Sequence, residues 1–121
     1  MPNPGDVPIF VGPEWKPGPI PGSSILSEQT IAASGAFVPT TVDVLVFVDT
    51  TGGAVNLTLP APAAGVATRY TFKDSKQNFN INALTLVPPG AVLIEGANAN
   101  FPINAQGAHV TVISDGVNYF V

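Results

Sequence analysis

The placement of proline constrains this chain more than any other feature. Of 13 prolines, seven (Pro2, Pro4, Pro8, Pro13, Pro17, Pro19 and Pro21) fall within the first 22 residues. The other six stand at positions 39, 60, 62, 88, 89 and 102. Proline fixes φ and has no N–H to donate, so it stops helices and is kept out of central strands. The first cluster predicts an extended, polyproline-II-like arm over residues 1–22, with a reach of roughly 70 Å at about 3.1 Å per residue. The later prolines divide residues 23–121 into short segments, and none carries a sustained 3.6-residue apolar period. Strands are what remain.

The strand pattern is frequent. Gln29 to Ala33 opens it. Val44-Leu45-Val46-Phe47-Val48 is apolar on both parities, as in a strand covered on both faces. From Ala54 to Leu59, Val55, Leu57 and Leu59 alternate with Asn56 and Thr58. From Ala67 to Lys73, Tyr70 and Phe72 point inward while Arg69, Thr71 and Lys73 point outward. Phe79 and Ile81 share a parity that Leu84 and Leu86 do not, which predicts a bulge or break near Ala83. Ala91 to Ile94, His109 to Ser114 and Val117 to Val121 complete the set, with Tyr119 aligned to Val117 and Val121. Thr51-Gly52-Gly53 and Asp115-Gly116 have the chemistry of tight hairpins, whereas Pro60 to Gly65 and Pro88-Pro89-Gly90 read as breaks. The expected fold is all-β: an antiparallel β-sandwich or barrel-like domain over residues 23–121, preceded by the extended Pro-rich N-terminal arm. Leu57-Thr58-Leu59-Pro60 is echoed by Leu84-Thr85-Leu86-Val87-Pro88. Two copies are too few to predict a solenoid.

The arm is not composed like an ordinary disordered tail, which is poor in aromatic and aliphatic residues. It carries Val7, Ile9, Phe10, Val11 and Ile20, and Trp15, the only tryptophan of the chain. Spaced apolar anchors on an extended strap predict docking on another chain, in preference to folding back on the chain's own domain, and these six are the predicted partner-binding residues. Composition points the same way. Charged residues are 10% of the chain against 45% hydrophobic, where a soluble domain usually has roughly 25% charged. Such a thinly charged surface suits a subunit in contact with others.

Other classes are disfavoured. Four basic residues and a net charge of -4 make a poor footprint for nucleic acid. No apolar run approaches the length of a membrane helix, and Met1-Pro2-Asn3-Pro4-Gly5-Asp6 lacks the pattern of a secretory signal. With no cysteine there is neither a disulfide framework nor a thiolate metal site. Catalysis needs a nucleophile, a base and an orienting group. His109 is the only histidine, and the carboxylates Asp43, Asp49, Asp74, Glu95 and Asp115 form no recognisable pair or calcium loop. Asp74 and Asp115 sit at turns, where a carboxylate commonly binds backbone amides. Arg69, Lys73 and Lys76 form a small basic cluster that reads as an outward strand face. No enzyme activity, cofactor or metal is expected.

Taken in order, four stretches resemble a small β module of tailed-bacteriophage structural proteins. They are Val44-Leu45-Val46-Phe47-Val48-Asp49-Thr50-Thr51, then Val55-Asn56-Leu57-Thr58-Leu59-Pro60-Ala61-Pro62, then Tyr70-Thr71-Phe72-Lys73-Asp74, and at the end Ser114-Asp115-Gly116-Val117-Asn118-Tyr119-Phe120-Val121. Ile94-Glu95-Gly96-Ala97 fits the penultimate element of that pattern. The resemblance spans residues 40–121 and leaves out the arm. Tyr119 stands where the family often has Trp.

The resemblance implies a virion structural role, a homotrimer and no enzyme activity. The family includes tail fibres, tail-tip proteins and capsid decoration proteins. A short module behind a proline-rich arm suits decoration. The expectation is therefore a decoration (cement) protein on the outer capsid surface, strapped to the major capsid protein by the arm, with neither nucleic acid nor membrane as partner. The alternative is a tail-fibre or tail-tip component contacting host glycan or adjoining tail proteins, with Asn98, Asn100 and Phe101 as candidate sugar contacts.

Overall fold

The computed structural model describes residues 27–121. The arm over residues 1–22, with its six anchors Val7, Ile9, Phe10, Val11, Trp15 and Ile20, lies outside the described residues. Within them the chain forms nine strands and no helix. The strands are β1 (Ser27–Ile31), β2 (Gly35–Ala36), β3 (Asp43–Val48), β4 (Val55–Thr58), β5 (Thr68–Asp74), β6 (Leu84–Val87), β7 (Phe101–Ile103), β8 (His109–Ser114) and β9 (Tyr119–Phe120). They make a five-stranded sheet in the order β1-β3-β5-β8-β9 and a four-stranded sheet in the order β2-β4-β6-β7. Both are open sheets, so the barrel-like alternative does not hold for this region.

The antiparallel expectation is corrected. β1 pairs with β3, β3 with β5, β2 with β4 and β4 with β6, all in parallel. From β1 to β6 the chain alternates between the two sheets, and each return lays a strand parallel to the previous one. This is the winding of a short coil. The Gly52-Gly53 turn does not close a hairpin: Gly53 takes a φ of 145° and donates to the Thr50 carbonyl, and the chain passes from β3 in one sheet to β4 in the other. The Leu-Thr-Leu echo lies on neighbouring parallel strands, displaced by two residues, so that Leu57 faces Leu86. Antiparallel pairing begins only at the end, where β7 folds back on β6, β8 pairs with β5, and β9 pairs with β8.

Alternation along the strands builds the core. Val44, Val46 and Val48 of β3, Val55 and Leu57 of β4, Tyr70 and Phe72 of β5, Leu84 and Leu86 of β6, and Val112 of β8 are buried in one cluster shared by the two sheets. Fully burying such a side chain contributes about 1.5–3 kcal/mol. Phe37, just after β2, joins this cluster and meets the rings of Tyr70 and Phe72 edge-on at 5.1 and 5.3 Å. β3 is fully buried on one face and partly covered on the other, where Leu45 and Phe47 are half-buried. Phe79 and Ile81 are not strand residues. They sit in the turn after β5, Phe79 buried and Ile81 exposed, and the break near Ala83 is present because β6 starts at Leu84. Ala91 to Ile94 supplies only two isolated bridges, from Ile94 to Ala97 and to Tyr119.

The final hairpin forms at Asp115-Gly116, as expected. Asp115 Oδ1 accepts from the amides of Val117 and Asn118, and Tyr119 is buried with its hydroxyl donating to the Pro60 carbonyl at 2.6 Å. Val117 and Val121, aligned with Tyr119 by parity, are instead exposed, because the strand holds only Tyr119 and Phe120. Gly116 has a φ of 94°, and a Cβ there would stand 3.0 Å from the Gly65 nitrogen and 3.1 Å from the Ala63 oxygen, both backbone atoms. Gly116→Ala is expected to cost about 1–3 kcal/mol through the unfavourable φ and this contact. An unchanged thermal midpoint would contradict that account.

Candidate binding surface

Each polar residue singled out from the sequence has a definite place. His109 is exposed at the start of β8, opposite Lys73 across the sheet. Asp43 accepts from the Arg69 guanidinium in the single ion pair among the described residues. That hydrogen bond, with the charge of Arg69, holds the Asp43 carboxyl below its ordinary value against the opposing effect of burial. Lys73 Nζ donates to the Gly107 carbonyl. Arg69 and Lys73 share the outward face of β5, and both find partners within the chain.

The remaining carboxylates serve turns. Asp49 accepts from the amide and hydroxyl of Thr51, and Glu95 accepts from the Val121 amide at 3.1 Å. Asp74 is the only charged residue among the described ones with no solvent exposure. Its Oδ1 accepts from the Asn78 amide at 3.0 Å, and its Oδ2 from the amides of Phe79 and Gly107, each at 2.9 Å. Burial pushes this carboxyl up. The amides of Asn78, Phe79, Gly107 and Lys76 more than offset it, so the group sits below its ordinary value. Asp74 thus locks the turn after β5 to the turn before β8. Among the described residues, no three His, Asp or Glu side chains converge as a metal site, and no helix is long and apolar enough to cross a membrane.

The candidate sugar contacts are largely engaged within their own loop. The Asn98 amide donates to the carbonyls of Gly90 and Val92. Phe101 packs against the core, and Asn98 and Asn100 are both exposed, Asn98 with its side-chain amide already bonded.

What the strands do assemble is an extended surface on the outward face of the five-stranded sheet. Register sets three rows across it. Asp43, Arg69, Ile113 and Phe120 form the first. Glu28, Leu45, Thr71 and Thr111 form the second, and Thr30, Phe47, Lys73 and His109 the third. The hydroxyls of Thr71 and Thr111 are bonded at 3.1 Å. At the first row a shallow groove of about 290 Å³ opens between Val42, Asp43, Ala67, Thr68, Arg69 and Ile113. Two sequence signals bear on this face, the apolar residues on both parities of β3 and the exposed Ile113. The first reads as burial from both sides unless the parallel winding is known.

Neither the models of known protein families nor the curated proteins contain a match to this chain.

Proposed function

We propose that this chain is a virion structural protein of a tailed bacteriophage, a decoration protein that binds the outer capsid surface as a homotrimer. We read its two sheets as the layers of a small β-sandwich and residues 1–22 as the strap that engages the major capsid protein. One observation carries the reading. The stretches that resemble the phage module are the ones that hold the two sheets together. Asp49 and Thr51 make the turn that passes the chain between sheets. Lys73-Asp74 ends β5 and locks two turns. Asn118 Oδ1 accepts from the Leu93 amide at 2.9 Å, and the Glu95 amide donates to the Tyr119 carbonyl, which ties Ile94-Glu95-Gly96-Ala97 to the terminal hairpin. A motif set whose parts interlock in this way is a unit of fold, which supports reading the resemblance as one of module rather than of scattered words.

The arm leads into β1, the edge strand of the five-stranded sheet. Three such arms on one trimer would multiply a modest individual affinity. Immunogold labelling of virions with antibody against residues 27–121 is expected to mark the capsid shell. Label confined to the tail would overturn decoration in favour of a tail component.

A further inference from the structure

Asp115 is the only aspartate or asparagine of the chain that glycine follows. An Asp-Gly bond can rearrange without an enzyme. The Gly nitrogen attacks the Cγ of the neutral Asp side chain. A C–N bond forms, the Cγ–OH bond breaks, and the hydroxyl leaves with the amide proton as water. The product is a succinimide ring, which water opens at either carbonyl. One opening restores aspartate. The other gives isoaspartate, whose main chain runs through Cγ and is one carbon longer. Glycine favours closure because it has no Cβ beside the attacking nitrogen.

The folded hairpin engages both reacting groups elsewhere. Gly116 is buried against the backbone of Ala63 and Gly65. Its N–H donates to Ser114 Oγ at 3.0 Å, and Ser114 is itself buried. Asp115 is exposed, but its Oδ1 accepts from the amides of Val117 and Asn118, each at 2.9 Å. The Asn118 and Val117 amides also hold this carboxyl below its ordinary value, so the reactive neutral acid is scarce. Ring closure needs Gly116 to leave Ser114 and Asp115 to leave both amides, which means that the hairpin must open. Two further bonds oppose opening, from the Tyr119 hydroxyl to the Pro60 carbonyl and from the Leu93 amide to Asn118 Oδ1. After conversion, the extra main-chain carbon would upset the pairing of Ser114 with Tyr119 and of Ile113 with Phe120.

We infer that Asp115-Gly116 is the site of spontaneous isomerisation in this chain, and that the folded hairpin restrains it through the Ser114 hydroxyl. The bond thereby keeps a covalent record of hairpin opening, because each opening exposes it to closure and conversion hinders re-formation. This holds whatever partner the chain binds.

The test is incubation of the full chain in mildly acidic buffer below its thermal midpoint. Isoaspartate is then measured by mass spectrometry at Asp6, Asp43, Asp49, Asp74 and Asp115. In urea, conversion should fall chiefly on Asp115. The folded wild type should convert there at least about tenfold more slowly, since local opening is a minority state. Ser114→Ala, folded by circular dichroism, should convert roughly five-fold faster than the folded wild type, the factor that one ordinary hydrogen bond represents. In urea the two should convert alike, which separates the native bond from any effect of residue 114 on the local chemistry. If Ser114→Ala does not fold, Tyr119→Phe, which removes the bond to Pro60, carries the test with the same expectation. Equal rates in folded and unfolded wild type would overturn the inference. So would a rate in folded Ser114→Ala, or Tyr119→Phe in its place, no higher than that of the folded wild type, an effect of the same size in urea, or conversion in urea chiefly at another aspartate.

Discussion

Replacing Asp74 with alanine is expected to destabilise the domain by about 3–4 kcal/mol, the largest effect of any polar substitution in the described chain. The carboxylate is fully buried and accepts three backbone N–H groups, from Asn78, Phe79 and Gly107. Alanine would leave these donors without a partner, and a hydrogen bond to a charged group contributes about 1.5–3 kcal/mol net of the exchange with water, with three bonds to one carboxylate adding up to less than their sum because its burial opposes them. Two turns would loosen together, and Phe79, buried in the core, would lose the anchor that positions its backbone. A loss of this size should lower the thermal midpoint by roughly 10–20 °C for a domain of this length.

Asp74 also imposes a direction on the pH dependence. Its carboxyl lies below its ordinary value of 3.8 in the folded chain. The stabilisation is therefore fully present above the unfolded value and is lost as pH falls through the folded one. Asp74→Asn keeps the shape and removes the charge. The stability gap between wild type and Asp74→Asn should be widest near neutral pH and should narrow as the pH drops below about 4. Asp43, Asp49 and Asp115 are also held below their ordinary values, but they are common to both proteins and cancel from the difference. A gap that does not change between pH 7 and pH 3 would refute the role given to the ionised carboxylate.

Much of the strand content was legible because burial follows a period of two. Val55, Leu57 and Leu59 face the core, as do Tyr70 and Phe72, while Arg69 and Lys73 point outward, as their alternation predicted. The Asp115-Gly116 hairpin was legible because its chemistry is local. The connection of the strands was not. A Gly-Gly turn between two apolar runs has the same local requirement whether the chain folds back beside itself or crosses to a second sheet. Parallel pairing joins residues separated by a whole coil, such as Val46 and Phe72, and no short window records it. The Leu-Thr-Leu echo was its faint trace, but the lengths of the intervening loops differ, so no repeat stands out. Leu45 and Phe47 misled for a related reason. Apolar residues on both faces of β3 suggested burial within the chain, whereas one face remains half-open. Phe37 was missed because it follows a strand of only two residues, too short to show a pattern. The role of Asp74 was legible in kind, as a carboxylate at a turn, but its hold on Gly107 joins residues 33 positions apart.

On the proposed decoration role, removal of residues 1–22 is expected to leave residues 27–121 folded and to abolish binding to capsids. Residues 1–22 hold the proposed anchors Val7, Ile9, Phe10, Val11, Trp15 and Ile20 and seven of the 13 prolines. Large aromatic groups commonly dominate contact energies, and a proline-rich segment has less conformational entropy to lose on binding. On the proposed trimer, the loss of all three arms should cost a factor on the order of 100 or more in apparent affinity. Trp15→Ala alone should produce a smaller loss of the same kind. Co-sedimentation of purified protein with capsids that lack it measures this directly, comparing the full chain with the chain deleted for residues 1–22. The full chain should pellet with capsids and saturate them, while the deleted chain, folded by circular dichroism, should stay in the supernatant. Equal binding by both chains, or binding by neither, would contradict the account.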